Sequence, residues 1–340
     1  VYVKDGGTGD GTSATSPLGT LNAAVSALGG KGGTIVACGD VTVNAITTIP
    51  EQNGDFMLTS ANGGRLLQGN RIQLGKNTND NTFTFDLPIV MTKTYPVFIF
   101  GGFNSVHFTD KCVVTNNGAN GSLHFMGGAL AASGTANAAL VTTLPYSITV
   151  DGGDFCMFSA GTYRSSVTAP VGSIAAPVTI TINGGTFGKA GSYDLTTNNK
   201  NYWDVSIADG LILADDATLN ITGGTFNAPI FAQGRLDNVP ATASETSALT
   251  ASDRKYYAAD GDIRINITGG TFNGGLISAY YTQAGYTQML RGSFDVTIGA
   301  GATFAAGTVI DATQVKAYAG SDKKATLTYP AGAGITAKRF

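Results

Sequence analysis

The stretch LNITGGTFNAPIFAQG at 219–234 returns almost unchanged as INITGGTFNGGLISAY at 265–280. ITVDGGDFCMFSAG at 148–161 and ITINGGTFGKAG at 180–191 fit the same template, and DVTIGAGATFAAGTVIDA at 295–312 fits it loosely. The first glycines of the pairs, Gly152, Gly184, Gly223 and Gly269, are 32, 39 and 46 residues apart. A motif that recurs every 20 to 50 residues or so marks a solenoid or a propeller. Spacing that grows while the motif holds places insertions at a fixed point of each repeat, so the core repeats and the loops vary.

Inside the motif the apolar residues alternate. Ile265 and Ile267 point one way and Asn266 and Thr268 the other, as the period of two in a strand requires. The Gly-Gly pair then turns a corner, where side chains would clash or a positive φ is needed. The following Thr-Phe starts the next strand and sets Phe187, Phe226, Phe272 and Phe304 at equivalent positions, a column of rings if the coils stack. Such a column is either a core stack or an aromatic platform for sugars, and the core stack is the expectation. The asparagines of the motif, Asn220 and Asn266, begin N-x-S/T sequons as Asn120 does, but the repeat itself generates them. They are expected to form a ladder along the coils.

The N-terminal grammar is different. VYVKDGGTGDGTSATSPLGTLNAAVSALGGKGGTIVAC reads as a short strand, a Gly/Ser/Thr-rich turn, an amphipathic helix over 18–28 started by Pro17 and stopped by Gly29 and Gly30, and a strand from Thr34. This order resembles the N-terminal cap of right-handed parallel β-helix proteins of the pectate-lyase-like superfamily, and the glycine-rich repeats extend the resemblance over most of the chain. The fold expected is therefore all-β: a right-handed, single-stranded parallel β-helix with a short N-terminal α-helical cap. It is read as one domain over 1–340, with the cap and first coil in 1–45, coils over 46–322 and a C-terminal end at 323–340. In the less regular part, RIQL, FTFDL, VFIFGG, VHF and SLHFMGG keep strand character between Asn/Gly turns and read as earlier coils. ATLTYP reads as the last strand, followed by an end cap.

Insertions follow the motif at 161–177, 189–210, 234–262 and 280–292. They hold much of the aromatic and charged inventory of the second half. Tyr193, Tyr202, Trp203, Tyr256, Tyr257, Tyr280, Tyr281 and Arg291 are the candidates for carbohydrate binding, because aromatic faces stack on sugar C–H groups while polar neighbours meet the hydroxyls. Two readings stay open: a glycan groove, and loops that cover the solenoid wall or pack on a second copy through their tyrosines.

Catalysis has thinner support. The resemblance implies carboxylate-bound calcium with a Lys or Arg base in lyases, and clustered aspartates with a His in hydrolases. The nearest matches are Lys255, Arg235 and Asp204. Asp215 and Asp216 are adjacent and read as turn decoration, and NTNDN at 77–81 matches the hydrolase pattern only in flavour. His107 and His124 sit in strand contexts with no companion motif and read as structural. A non-enzymatic protein needs no cofactor, whereas a lyase would bring calcium.

Composition narrows the partners. Net charge is −3, the pI is near 5.3, and charged residues make up 13% of the chain, without a Lys/Arg run. That excludes the electrostatic footprint of a nucleic-acid binder. No apolar stretch approaches the roughly 18 residues of a membrane span. A chain opening at Val1 reads as a processed, exported form, so the localisation expected is extracellular or cell surface. Low charge and a mean hydropathy of +0.10 favour self-association, as a homo-oligomer or filament. Cys38, Cys112 and Cys156 show no metal or redox spacing and read as small core residues, with one disulfide and a leftover thiol as the other option. The function expected is an extracellular surface, adhesive or assembly-forming β-helix that presents a carbohydrate-binding face. The alternatives are a polysaccharide lyase or glycoside hydrolase, and a glycan binder of the phage tailspike kind.

Overall fold

The computed structural model describes residues 1–115, 122–131, 141–142, 144–161, 163–164, 173–174, 177–188, 205–206, 217–232, 258–259, 262–279, 289–290, 292–313 and 324–340. Among these, the strands form a 14-stranded, a 10-stranded and a 4-stranded sheet and three two-stranded ladders, with every pairing parallel. Parallel strands that follow one another in sequence and return to the same sheets make a right-handed parallel β-helix, the solenoid among the architectures that the repeats allow. The described residues hold one α-helix, and no helix is long and apolar enough to cross a membrane.

Each coil contributes one strand to the long sheet and one to a closing sheet. The long sheet includes Gly33–Ala37, Phe56–Ser60, Thr82–Asp86, Ser105–Phe108, Tyr146–Val150, Val178–Ile182, Ala217–Ile221, Ile263–Phe272, Phe294–Phe304 and Ala325–Thr328. The closing sheet runs from Thr47–Ile49 to Thr336–Lys338. The early coils insert a third strand, Asp40–Val43, Arg65–Gln68, Ile89–Met91 and Val114–Thr115, which makes the short middle sheet. Later coils have the Gly-Gly corner and a Thr-Phe strand in its place, as at Thr186–Phe187 and Thr225–Phe226.

The two glycines of the corner do different jobs. A Cβ on Gly184, Gly223 or Gly269 would stand 2.2 Å from the carbonyl oxygen of Asp151, Asn183 or Thr222 in the coil below, so the first glycine permits backbone to lie on backbone. The second takes a positive φ, +90° at Gly185, +92° at Gly224 and +99° at Gly270, which side chains disfavour. The loose copy solves the corner with one extra residue. Its register shifts between Ile267 and Gly269 and recovers so that Gly301 opposes Gly269 and Phe304 opposes Phe272.

Inside, the phenylalanines stack as the repeat implies. Ring centroids are 5.8 Å apart for Phe155 and Phe187, 5.0 Å for Phe187 and Phe226, and 4.8 Å for both Phe226–Phe272 and Phe272–Phe304. Phe155, Phe187, Phe226 and Phe272 are buried, so the column is core and not a sugar platform. It continues beyond the repeats through Phe108 to Phe85.

Three expectations change at the ends and loops. The helix starts at Leu21, not Leu18, because Leu18 bridges Val3 as a strand residue and the Thr20 hydroxyl caps the helix by accepting the Ala23 N–H. Gly29 closes it in the left-handed conformation, as read. The C-terminal segment carries two strands, since Thr336–Lys338 pairs with Val309–Asp311 beyond Ala325–Thr328. The insertions do not all leave one point. Those after residues 159, 231 and 278 follow closing-sheet strands, but 189–210 contains the closing-sheet strand Val205–Ser206. Cys38, Cys112 and Cys156 form no disulfide with one another; Cys112 and Cys156 are buried, Cys38 is half-buried, and burial pushes the Cys112 thiol up to about 12.

Gly223→Ala should destabilise by about 3 kcal/mol, because the methyl meets fixed backbone. Gly299→Ala should change stability by less than about 1 kcal/mol, because its nearest atoms are an ordinary 3.4 Å away. Urea-unfolding midpoints of the two variants compare them directly.

Candidate functional site

The outer face of the long sheet is a regular polar grid. In Val178–Ile182 the valine and isoleucines are buried while Thr179 and Thr181 face out. In-register pairing repeats that choice coil after coil. One rank runs Thr179, Thr218, Arg264, Asp295 and Thr326, preceded by Ser147. The second runs Thr84, His107, Thr149, Thr181, Asn220, Asn266, Thr297 and Thr328. Past the corner a third follows through Thr186, Thr225, Thr271 and Thr303. Neighbouring residues along a rank lie roughly 4.8 Å apart, and the first two ranks are roughly 6.6 Å apart.

Side chains tie the ranks together. Asn266 Nδ2 donates to Asn220 Oδ1 at 2.9 Å, and Asn273 Nδ2 to Asn227 Oδ1 at 2.9 Å, each across 46 residues. The Asn220 and Asn266 sequons are thus rungs of a ladder, as anticipated. At the corner, Thr222 Oγ1 donates to Asn183 Oδ1 at 2.7 Å across 39 residues, and Asn183 Nδ2 donates to Asp151 Oδ1 at 2.8 Å across 32. The uneven spacings of the glycine pairs therefore return as the separations of hydrogen-bonded partners.

That corner row ends on an ionisable pair. His107 Nε2 lies 2.7 Å from Asp151 Oδ2, with both side chains 33% exposed. Burial would raise the Asp151 carboxyl, but the bonds from Asn183 and His107 outweigh it and hold the group below the usual carboxylate range. Asp86 is a second polar knot. Its Oδ2 accepts from Thr59 at 2.6 Å and from Lys111 Nζ at 2.9 Å, and its Oδ1 accepts from Thr109 at 2.7 Å. Burial again opposes these bonds, and the net pKa is again lowered. A third pair, Arg65 with Asp40, is a bidentate surface contact at 2.8 and 2.7 Å. Among the described residues no three His, Cys, Asp or Glu side chains gather as a metal site.

Lys255, Arg235 and Asp204, and the sugar-binding candidates Tyr193, Tyr202, Trp203, Tyr256, Tyr257, Tyr280, Tyr281 and Arg291, all lie outside the described residues, as do Asp215 and Asp216. The flanking strands still fix where their segments start and stop. The insertions re-enter the long sheet at 178, 217, 263 and 294, one residue before Thr179, Thr218, Arg264 and Asp295 of the first rank. NTNDN is a turn that ties partly to the preceding coil: Asn79 Nδ2 donates to Glu51 Oε1 at 2.7 Å and to Gln52 O at 3.2 Å, while within the turn the Asp80 N–H donates to Asn77 Oδ1.

Sequence reasoning missed two things. The His107–Asp151 pair spans 44 residues, a distance that becomes contact only once Thr149 is seen to oppose His107. The ranks are the other: alternate Ser, Thr and Asn positions are legible within each strand, but their alignment into rows depends on the register between coils. No family model matches the sequence, and comparisons with curated proteins and with solved structures find no match.

His124, in the closing sheet, is fully enclosed and packs edge-on against Phe98 at 4.9 Å. Burial drives its pKa down to about 3, so the ring stays neutral in the native state. As pH falls below about 6.5, the unfolded chain binds a proton there that the native state refuses. Stability is therefore full above that pH and is lost toward pH 3, with a slope of up to about 1.4 kcal/mol per pH unit. His124→Phe should flatten the pH dependence of the unfolding midpoint between pH 6 and about pH 4.5, which parallel denaturant titrations measure.

Proposed function

We propose that this chain is an extracellular surface protein whose β-helix holds a carbohydrate-binding face rigid. The observation that carries the reading is the grid on the long sheet: hydroxyl and amide groups, nearly all uncharged, at fixed spacing along many coils. Hydroxyls both donate and accept, and Asn offers both roles as well, which suits a ligand that is itself a repeating array of hydroxyls. The backbone beneath is already ordered, so binding loses little conformational freedom.

The loop candidates join this reading through chain connection. The insertions bearing Tyr202, Trp203, Tyr256, Tyr257, Tyr280 and Tyr281 lead into long-sheet strands that begin at 217, 263 and 294, and these aromatic residues remain the candidates for stacking on sugar rings. Membership of the pectate-lyase-like superfamily belongs to the same proposal and rests on the N-terminal strand, turn, helix and strand. The scarcity of charge on the grid favours a neutral polysaccharide, and Arg264 with Asp295 is its one pair of opposite charges in adjacent register.

Retention on columns of insoluble neutral polysaccharides, such as β-glucan, xylan and starch, tests the reading. At least one should retain the native protein. Thr181→Lys, which sets a solvated cation in the middle of the second rank, should weaken retention at least tenfold while leaving the unfolding midpoint within a few degrees. Retention unchanged by Thr181→Lys, or no retention on any polysaccharide, would contradict it.

A further inference from the structure

The corner between the middle and closing sheets carries a different kind of site, independent of the polysaccharide reading. Three successive coils bring together Ile46, Arg71 and Tyr95 around an open cavity of about 230 Å³, floored by Pro96 and Phe98. Ile46 is 45% exposed and Tyr95 52%, two of the few large apolar side chains on the described surface.

Arg71 is the odd group in this apolar setting. Its Nε is buried and donates to no acceptor among the described residues, and none of the lining residues is acidic. Asn70 lines the same cavity but does not supply the partner. Its Oδ1 already accepts the Arg71 backbone N–H at 2.9 Å, and its Nδ2 donates to Asn44 O at 3.1 Å. A buried N–H without an acceptor is a standing cost. Arg71 as a whole is half-buried and lines the cavity, so with Nε enclosed it is the outer end of the guanidinium that offers a carboxylate its donors.

The walls decide what the carboxylate is attached to. A sugar would bring a ring of hydroxyls, and apart from Arg71 and the committed Asn70 the lining side chains offer only the Tyr95 phenol. Ile46, Tyr95, Pro96 and Phe98 suit a hydrocarbon or aromatic body instead. We infer that the notch around Arg71 and Tyr95 binds a compact amphipathic carboxylate, an aromatic or branched-chain group bearing one carboxyl. A free acid and the apolar C-terminal residue of a peptide share that chemistry.

Titration of the ¹⁵N-labelled full chain with phenylacetate, followed through the Arg71 Nε–Hε resonance, tests the assignment. Saturable shifts with Kd on the order of 1 mM are expected for so small a ligand. Phenylacetamide, which keeps the ring and loses the charge, should bind at least tenfold more weakly, and glucuronate should also be weaker. Arg71→Gln should abolish binding, and Tyr95→Ala, at an exposed position, should weaken it severalfold with the fold intact. A peptide ending in phenylalanine that binds more tightly than phenylacetate assigns the notch to peptide C-termini, and the reverse order assigns it to free acids. Equal affinity for phenylacetamide, tighter binding of glucuronate, or unchanged binding by Arg71→Gln would overturn the inference.

Discussion

Parallel coils can stack at sheet spacing only if the chain turns each corner without a side chain between one backbone and the next. The Gly-Gly pairs meet that constraint. At Gly184, Gly223 and Gly269 the place of a Cβ is taken by a carbonyl oxygen of the coil below, and the glycine after each turns the chain through a conformation that side chains disfavour. With the corner fixed, the next strand starts at a fixed offset, and Thr-Phe places each ring over the last. The 4.8 Å separation of Phe226, Phe272 and Phe304 is the strand spacing expressed inside the coil.

The same register is expressed outside. A strand one residue out of register would turn Ile180 to water and Thr181 to the core. The hydrophobic interior therefore orders the polar exterior, and the ranks of Thr, Ser and Asn need no separate cause. The hydrogen bonds from Asn266 to Asn220, and from Thr222 through Asn183 to Asp151, run along the axis and join coils side chain to side chain. The grid is thus the by-product of a packing rule, a support on which hydroxyls keep fixed distances, and that is the property the proposed function would use.

The sequence disclosed this part of the molecule because its rules are local. Alternation in INITGG, a glycine pair and a phenylalanine three residues after the first glycine are all legible within one repeat. The early coils were harder to read. Their middle sheet uses strands such as Arg65–Gln68 and Ile89–Met91, with no glycine pair to announce a corner. Pro17 and Leu18 carry helical signals, yet the helix starts at Leu21 because Leu18 is claimed by Val3, a contact across the chain that no local pattern encodes. His107 met Asp151 for the same reason, through stacking rather than proximity in sequence. The Arg71 notch draws on three coils whose residues share no motif, so only the fold brings them together.

One continuous register runs through the stack and projects the second rank as a straight row. Thr84 and Thr297 stand at the two ends of six consecutive register steps through His107, Thr149, Thr181, Asn220 and Asn266. Spin labels at these two positions, measured by pulsed electron–electron double resonance, should give a single narrow distance distribution near roughly 29 Å. A broad distribution, or a peak displaced by ten ångströms or so, would mean that the coils do not stack in this register and would remove the support on which the grid depends.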